Sequence, residues 1–442
     1  MRMIAAAALM RVRGALQDNA TLVINSGALA IGTVATAGLG FVYWWLAARL
    51  FPPAAIGNAS ALLSIVSLVA LLGDAGLGTL LIGEIVRHPK QAPALVGAAA
   101  SIGVALAVVL ALAFIPGAHL VGSANLIDGW PAGVAFVLGC ALTAFTVVVS
   151  QAFVGSLNSA GKMIQQVLFS VFKLMLIVIA AVVSQTSSTA IILTWVAGLL
   201  ASWIGLDLLT RGGARRLVGI PDFRLLHTLR LKVFGHYALD VTSQAPSVIV
   251  PYLVLVLLSP AATAAFSALW LLVSTAAVIP AVLTTVLFPV VRAGPNSSRR
   301  HFLVSLTASL LFSLACAVFV FVYSENILEI FNPAYRDIAG SSLRLLGFSL
   351  LGSTLKFHAC ALARLSDAMR RASLPFALGG LLEVGLVVAG AKLGGLEGLV
   401  VGWTIAVSIE GIFAGLLWAF ASSLGISANP SPELVASPPL RI

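Results

Sequence analysis

Six ionisable residues stand inside runs that are otherwise apolar: Asp74 in LLGDAGLG, Lys173 in VFKLML, Asp240 in YALDVT, Lys356 in TLKFHA, Glu383 in LLEVGL and Glu410 in VSIEGI. A charge in the middle of a bilayer costs about 2.5–3.5 kcal/mol on insertion scales, so such groups face a partner, a cavity or a ligand. A lysine there can contact an anion such as a phosphate group, or pair with an acid on a neighbouring helix. A carboxylate there can exchange a proton or hold sodium. The plainer role for any one acid is a helix-to-helix polar bond, or service as counter-ion to a lysine. Lys356 and His358 are two residues apart and so lie on different faces of a helix. His236 and His301 fall near span ends, where a solvated imidazole is expected.

The chemistry of an enzyme is missing from this pattern. Cys140, Cys316 and Cys360 lie in apolar runs without CxxC or Cys/His spacing, so neither a disulfide framework nor a metal site is expected, and no cofactor is implied. The GDAGLG run lies inside an apolar helix, with no strand before it, and is not a phosphate loop. Its small residues serve close helix approach instead. The most polar outer segment, SENILEIFNPAYRD, offers Glu325, Glu329 and Asp337 in no catalytic arrangement.

The elements that must position these residues follow from composition. The chain has 442 residues, 60% hydrophobic and 9% charged, where soluble domains carry about 25% charged residues. Its solvent is lipid. Each crossing takes about 20 apolar residues, and hydropathy divides the chain into twelve helices near 22–49, 59–86, 95–117, 131–154, 163–184, 190–210, 233–258, 261–289, 301–323, 340–363, 374–392 and 396–421. The opening MRMIAAAALMRVRGALQ has a short apolar run ending in Arg11 and Arg13, and reads as a retained cytoplasmic or interfacial segment rather than a signal peptide. The last twenty residues, rich in Ser and Pro, are expected to be disordered. Tryptophans such as Trp44, Trp45, Trp130, Trp270 and Trp418 are read mostly as interfacial anchors.

A net charge of +10 raises the question of nucleic acid, and its placement answers it. Nineteen of the 25 Lys and Arg residues lie in the amino terminus, in alternate loops and in the tail, with the densest group in RGGARRLVGIPDFRLLHTLRLK. The opposite loops hold Arg49, Arg336, Arg344 and Lys392. This is the positive-inside bias. It predicts a multi-pass protein of the cytoplasmic membrane with both termini cytoplasmic, attracted to anionic lipid and not to nucleic acid.

A repeat sets the architecture. PAAIGNASALLSIVS at position 53 and PAATAAFSALWLLVS at position 260 share eight of fifteen residues at an offset of 207. Each sits in the outer turn between the first and second helices of a six-helix group. Leu157, Ala160 and Lys162 are echoed 208 positions later by Leu365, Ala368 and Arg370. The expectation is an all-α polytopic membrane protein of two parallel six-helix halves around a central cavity. Its divisions are a cytoplasmic segment 1–20, an N-lobe 21–210, a basic linker 211–232, a C-lobe 233–421 and a tail 422–442. Asp74 aligns with Ala281, so the halves are chemically unequal. Pro246, Pro251 and Pro280 fall in the seventh and eighth spans, where they are expected to bend helices, either as static kinks or as the mark of a helix pair that moves.

WWLAARLFPPAAIGNASALLSIVSLVALLGDAGLG resembles the second-helix region of bacterial polysaccharide flippases of the multidrug/oligosaccharidyl-lipid/polysaccharide (MOP) exporter superfamily. The shared features are Ala48 and Arg49, Pro53, Gly57, then Asp74 and Gly76. PSVIVPYLVLVLLSPAATAAFSALWLL is similar to that family's seventh and eighth helices. The resemblance implies a flippase that moves polyprenyl-diphosphate-linked oligosaccharide outward by alternating access, for cell-surface polysaccharide synthesis. It implies a diphosphate near Arg49, Lys173 or Lys356, and coupling to protons or sodium through Asp74, Asp240, Glu383 or Glu410. Other envelope polysaccharide assembly proteins are the implied partners. The match to the peptidoglycan-precursor branch is worse, because extra helices and cavity arginines are lacking. The match to cation-coupled drug exporters is weaker too, since their first-helix acid is replaced at best by Asn25. Export of drugs or small amphiphiles, and a non-transporting scaffold of the same fold, are the alternatives.

Overall fold

In hydrocarbon every backbone N–H and C=O must be satisfied within the protein, which an apolar chain achieves by remaining helical. The computed structural model describes residues 20–120, 126–127, 129–183, 185–293, 298–365 and 369–423, and among these no strand occurs. The expected amino-terminal segment and tail lie outside the described residues. The first half comprises α1 (Ala20–Leu50), α2 (Pro53–Asp74), α3 (Leu77–Arg87), α4 (Ala92–Leu120), α5 (Gly129–Gly155), α6 (Ser159–Val182) and α7 (Ser188–Leu209). Two short helices, α8 (Gly213–Leu217) and α9 (Phe223–Thr228), lead into the second half. That half comprises α10 (Arg230–Leu257), α11 (Pro260–Ala293), α12 (Ser298–Phe331), α13 (Pro333–Ala339), a 3-10 turn (Gly340–Phe348), α14 (Ser349–Leu365) and α15 (Met369–Ser423). Ten of the helical stretches among the described residues are long and apolar enough to cross a membrane. One of these, Ala372–Leu417, is broken by non-helical backbone at Gly394 and Gly395.

Three local departures from the hydropathy reading have physical causes. The second span is split, because Ala75 (φ 48°) and Gly76 (φ 74°) adopt left-handed backbone between α2 and α3. Asp74 holds that break, its Oδ1 accepting the Gly78 N–H at 3.0 Å. SENILEIFNPAYRD is not an outer loop: it completes α12 and forms α13. Asn332 caps α13 through Oδ1, which accepts the Ala334 N–H at 3.0 Å, and Pro333 follows at the first helical position, where its missing N–H costs nothing. Glu325 pairs with Arg344 of the following 3-10 turn at 2.9 Å and Glu329 with Arg336 at 3.0 Å, so both glutamates of this segment are matched. The basic linker is docked on the first half, with the Gly219 N–H on the Pro93 carbonyl at 2.8 Å and Leu226 buried. Pro246 and Pro251 lie within α10, which runs on through both.

Within each half the helices pack on one another, and the halves meet where α2 lies against α10 and α11. The two copies of the repeat come together here. Each begins a helix with proline at its start, Pro53 on α2 and Pro260 on α11. Ser267 Oγ donates to Ser60 Oγ at 2.9 Å, and these two residues occupy the same position in the two copies, which places the contact on the pseudo-two-fold axis. Gly57 permits the approach: a Cβ there would lie 1.8 Å from the Pro260 carbonyl oxygen. Replacing Gly57 by alanine forces the two backbones apart. Overpacking of this kind costs about 1–3 kcal/mol, so Gly57→Ala is expected to lower the thermal midpoint of the purified protein, while alanine at Gly385, where nothing lies within 4 Å, should leave it unchanged.

Candidate functional site

The six intramembrane charges fall into separate stations. In the first half, Lys173 on α6 is buried, with 5% of its surface exposed. Its Nζ lies 4.9 Å from the ring centre of Tyr43 on α1, 4.7 Å from Phe169 on α6 and 4.5 Å from Trp195 on α7. Among the described residues no carboxylate pairs with it. The negative faces of the rings supply its compensation, an attraction worth about 2 kcal/mol when desolvated. Gly198 lets α7 come close, since a Cβ there would meet the Lys173 Cβ at 3.0 Å. Tyr43 Oη and Thr194 Oγ1 are 3.2 Å apart and fix the cage. Thr194 also lines an open groove of about 330 Å³ between α6 and α7, walled by the exposed side chains of Ile179, Val183 and Leu193.

In the second half, Lys356 on α14 meets two acids of α15. Its Nζ is 3.1 Å from Glu383 Oε1 and 2.9 Å from Glu410 Oε2. The acids stand on either side of the Gly394–Gly395 break, so the hairpin brings them together. Gly390 and Gly398 close that hairpin, each occupying space where the other's carbonyl leaves no room for a Cβ. All three charged residues are buried, and Glu383 Oε2 and Glu410 Oε1 have no hydrogen-bond partner. His358, two residues on from Lys356, points to the opposite side, where its Nε2 lies 3.1 Å from Ser305 Oγ.

The remaining expected site residues lie between the halves or at their ends. Asp240 on α10 accepts from Arg364 Nη2 at 2.7 Å and from Thr79 Oγ1 at 3.1 Å, so one carboxylate ties α14 and α10 to α3 of the other half. Arg49 is joined neither to Lys173 nor to Lys356. Its guanidinium donates to the Ile330 carbonyl at 2.7 Å, at the end of α12, where Trp45 Nε1 also donates at 3.0 Å. Asn332 Nδ2 returns a bond to the Ala48 carbonyl at 2.7 Å. These three side chains clasp α1 to the second half. Asp74 is the cap of the α2 break described above. Trp270, expected as an interfacial anchor, instead packs between Phe266 and Trp403 at 5.3 Å from each ring.

Tyr43, Phe169, Trp195, Thr79, Arg364 and Asn332 were not singled out from sequence. The cage comes from three helices with no spacing in common, and Arg364 looks like one more basic loop residue. Glu84, buried beside Arg87 at 3.0 Å, was also passed over.

No family model matches the sequence, and no curated protein matches it. Solved structures do. An inward-facing multidrug resistance MATE family transporter of the MOP superfamily superposes with a TM-score of 0.69 at 14% identity, over 90% of this chain and 96% of that one. An outward-facing transporter of that description gives 0.61 at 14% identity, over 91% and 96%. A MOP superfamily transporter from Pyrococcus furiosus Vc1, described as having a binding pocket of reverse polarity, gives 0.60 at 14% identity, over 90% and 95%. The chain has the fold of these transporters.

The two lysines differ in a measurable way. Removing one member of a buried ion pair costs about 3–5 kcal/mol, because the partner charge is stranded. Lys356→Met strands two carboxylates and is expected to lower the thermal midpoint severely. Lys173→Met strands none and keeps the side-chain volume. Its cost should stay below about 2 kcal/mol, the value of the lost ring contacts.

Proposed function

We propose that this chain is an exporter of the cytoplasmic membrane, with both termini cytoplasmic, that moves a polyprenyl-diphosphate-linked oligosaccharide outward by alternating access. Counting Ala372–Leu417 as two crossings and adding Ala20–Leu50 gives the twelve expected from hydropathy. The observation that carries the reading is Lys173: a buried cation held by rings rather than by an acid. Its charge stays available to an anion. An ammonium with three donors suits a diphosphate, and aromatic faces beside it suit the apolar faces of sugar rings. The open groove of about 330 Å³ next to Thr194 fits part of the hydrocarbon tail. Lys356, already matched by two acids, has no charge to spare for substrate. Arg49 serves the outer clasp in this reading.

A second reading, export of drugs or small amphiphiles, is favoured by the likeness to multidrug resistance transporters. The charge of the preferred substrate separates the two. In proteoliposomes containing purified protein, outward movement of a fluorescent polyprenyl-diphosphate glycan is expected to fall about tenfold or more in Lys173→Gln, the loss that follows from about 1.4 kcal/mol of missing anion contact. Unchanged glycan movement in that variant, together with efflux of lipophilic cations by the wild type, selects the second reading.

A further inference from the structure

We infer that the Glu383–Glu410 pair is a proton site from which metal cations are excluded, because Lys356 already occupies the place a coupling cation would take. This deepens the transport reading by naming the ion, and the coupling role rests on that reading. The site itself stands on geometry alone.

The Lys356 ammonium touches one oxygen of each acid, at 3.1 and 2.9 Å. Two carboxylates around one ammonium leave one negative charge over. The two oxygens that Lys356 does not reach, Glu383 Oε2 and Glu410 Oε1, are both buried and without a partner, in side chains 0% and 4% exposed. The carboxyl groups lie within hydrogen-bonding reach of each other. One proton repairs both defects: it cancels the surplus charge and turns one carboxylate into a donor for the other.

A sodium ion cannot do the same work. It needs several oxygen ligands in a shell around it, and one oxygen of each acid is committed to an ammonium that repels any second cation. Among the described residues no group of three or more acids, histidines or cysteines gathers to complete such a shell. Glu410 opens on a groove of about 150 Å³ lined otherwise by Pro375, Phe376, Leu378, Gly379, Leu382, Ile409, Phe413 and Ala414, whose side chains offer no oxygen. Gly379 keeps that groove open at the acid, since a Cβ there would lie 2.4 Å from Glu410 Cδ.

The surrounding charges do not alter the count. On α14, Cys360 lies in the field of Lys356, Glu410, Arg364 and Asp240, and the last two are already paired with each other. On α10, Asp240 is so engaged, and the other titratable residues whose side chains are described are Tyr237 and Tyr252, the latter packed against Phe114 of the first half. The described part of α11, Pro260–Thr284, has no charged residue. On α12, the neighbouring Ser305 is taken by His358. In the 3-10 turn, Arg344 is held by Glu325.

Two measurements on the purified full-length protein test the site without transport. First, the thermal midpoint of the wild type should be the same in sodium chloride and in choline chloride of equal strength, and Lys356→Met should gain a sodium-dependent rise. Sodium stabilising the wild type, or no sodium response in a folded Lys356→Met, overturns the proposal. Second, should Lys356→Met not fold, infrared difference spectra decide: a carboxylic-acid carbonyl band at neutral pH should vanish in both Glu410→Gln and Glu383→Gln. Its persistence in both overturns the proposal. In proteoliposomes a proton gradient, and not a sodium gradient, should drive substrate. Absence of any transport would remove the transport reading and leave the sodium and infrared results standing.

Discussion

A charge placed in hydrocarbon must find compensation within a few ångströms, and this protein meets that demand differently for each of its buried cations. Lys356 is answered by two carboxylates at 3.1 and 2.9 Å. Lys173 is answered by the faces of Tyr43, Phe169 and Trp195 at 4.5–4.9 Å. An acid neutralises; a ring attracts without neutralising, because its quadrupole carries no net charge. One half of the molecule therefore holds a cation fully answered by acids, and the other holds a cation whose field still reaches outward. The fold places these unlike stations in equivalent halves, so the internal repeat conveys architecture and not chemistry.

The same demand shapes the contact between halves. Apolar helices in lipid gain nothing by burying apolar surface, so they associate through close packing and polar bonds. Gly57 against the Pro260 carbonyl supplies the first, and Ser60 with Ser267 the second. At one end Arg49 and Trp45 donate to the Ile330 carbonyl, and at another Thr79 donates to Asp240, which Arg364 of the same half holds in place. Among the described residues few polar bonds cross between the halves, and they come from arginine, tryptophan, serine, threonine and asparagine.

Much of the fold was legible because lipid imposes a strict code. Long apolar runs follow from the need to satisfy every backbone group inside lipid, and they marked the helices. The places where that reading failed are those where a local bond outweighed hydropathy. SENILEIFNPAYRD reads as a polar loop, but Glu329 pairs with Arg336, Glu325 with Arg344 of the next turn, and Asn332 restarts the helix. The LLGDAGLG run reads as one span, but Asp74 reaches over to Gly78 and stabilises a break. Of the site, the charged members were visible because an ionisable residue stands out in an apolar run. Their pairing was not, since Lys356, Glu383 and Glu410 meet only through a hairpin turned at Gly394 and Gly395. The ring cage was invisible, because aromatic residues are unexceptional in a membrane helix.

The account turns on the two halves separating where the repeat copies touch. Cysteines introduced together as Ser60→Cys and Ser267→Cys, in a chain whose Cys140, Cys316 and Cys360 have been replaced, would sit at that contact. Oxidation is expected to join them within one chain and to stop glycan-lipid movement in proteoliposomes, with reduction restoring it. If the joined protein moves lipid as fast as the reduced one, the halves do not part there, and the account is wrong.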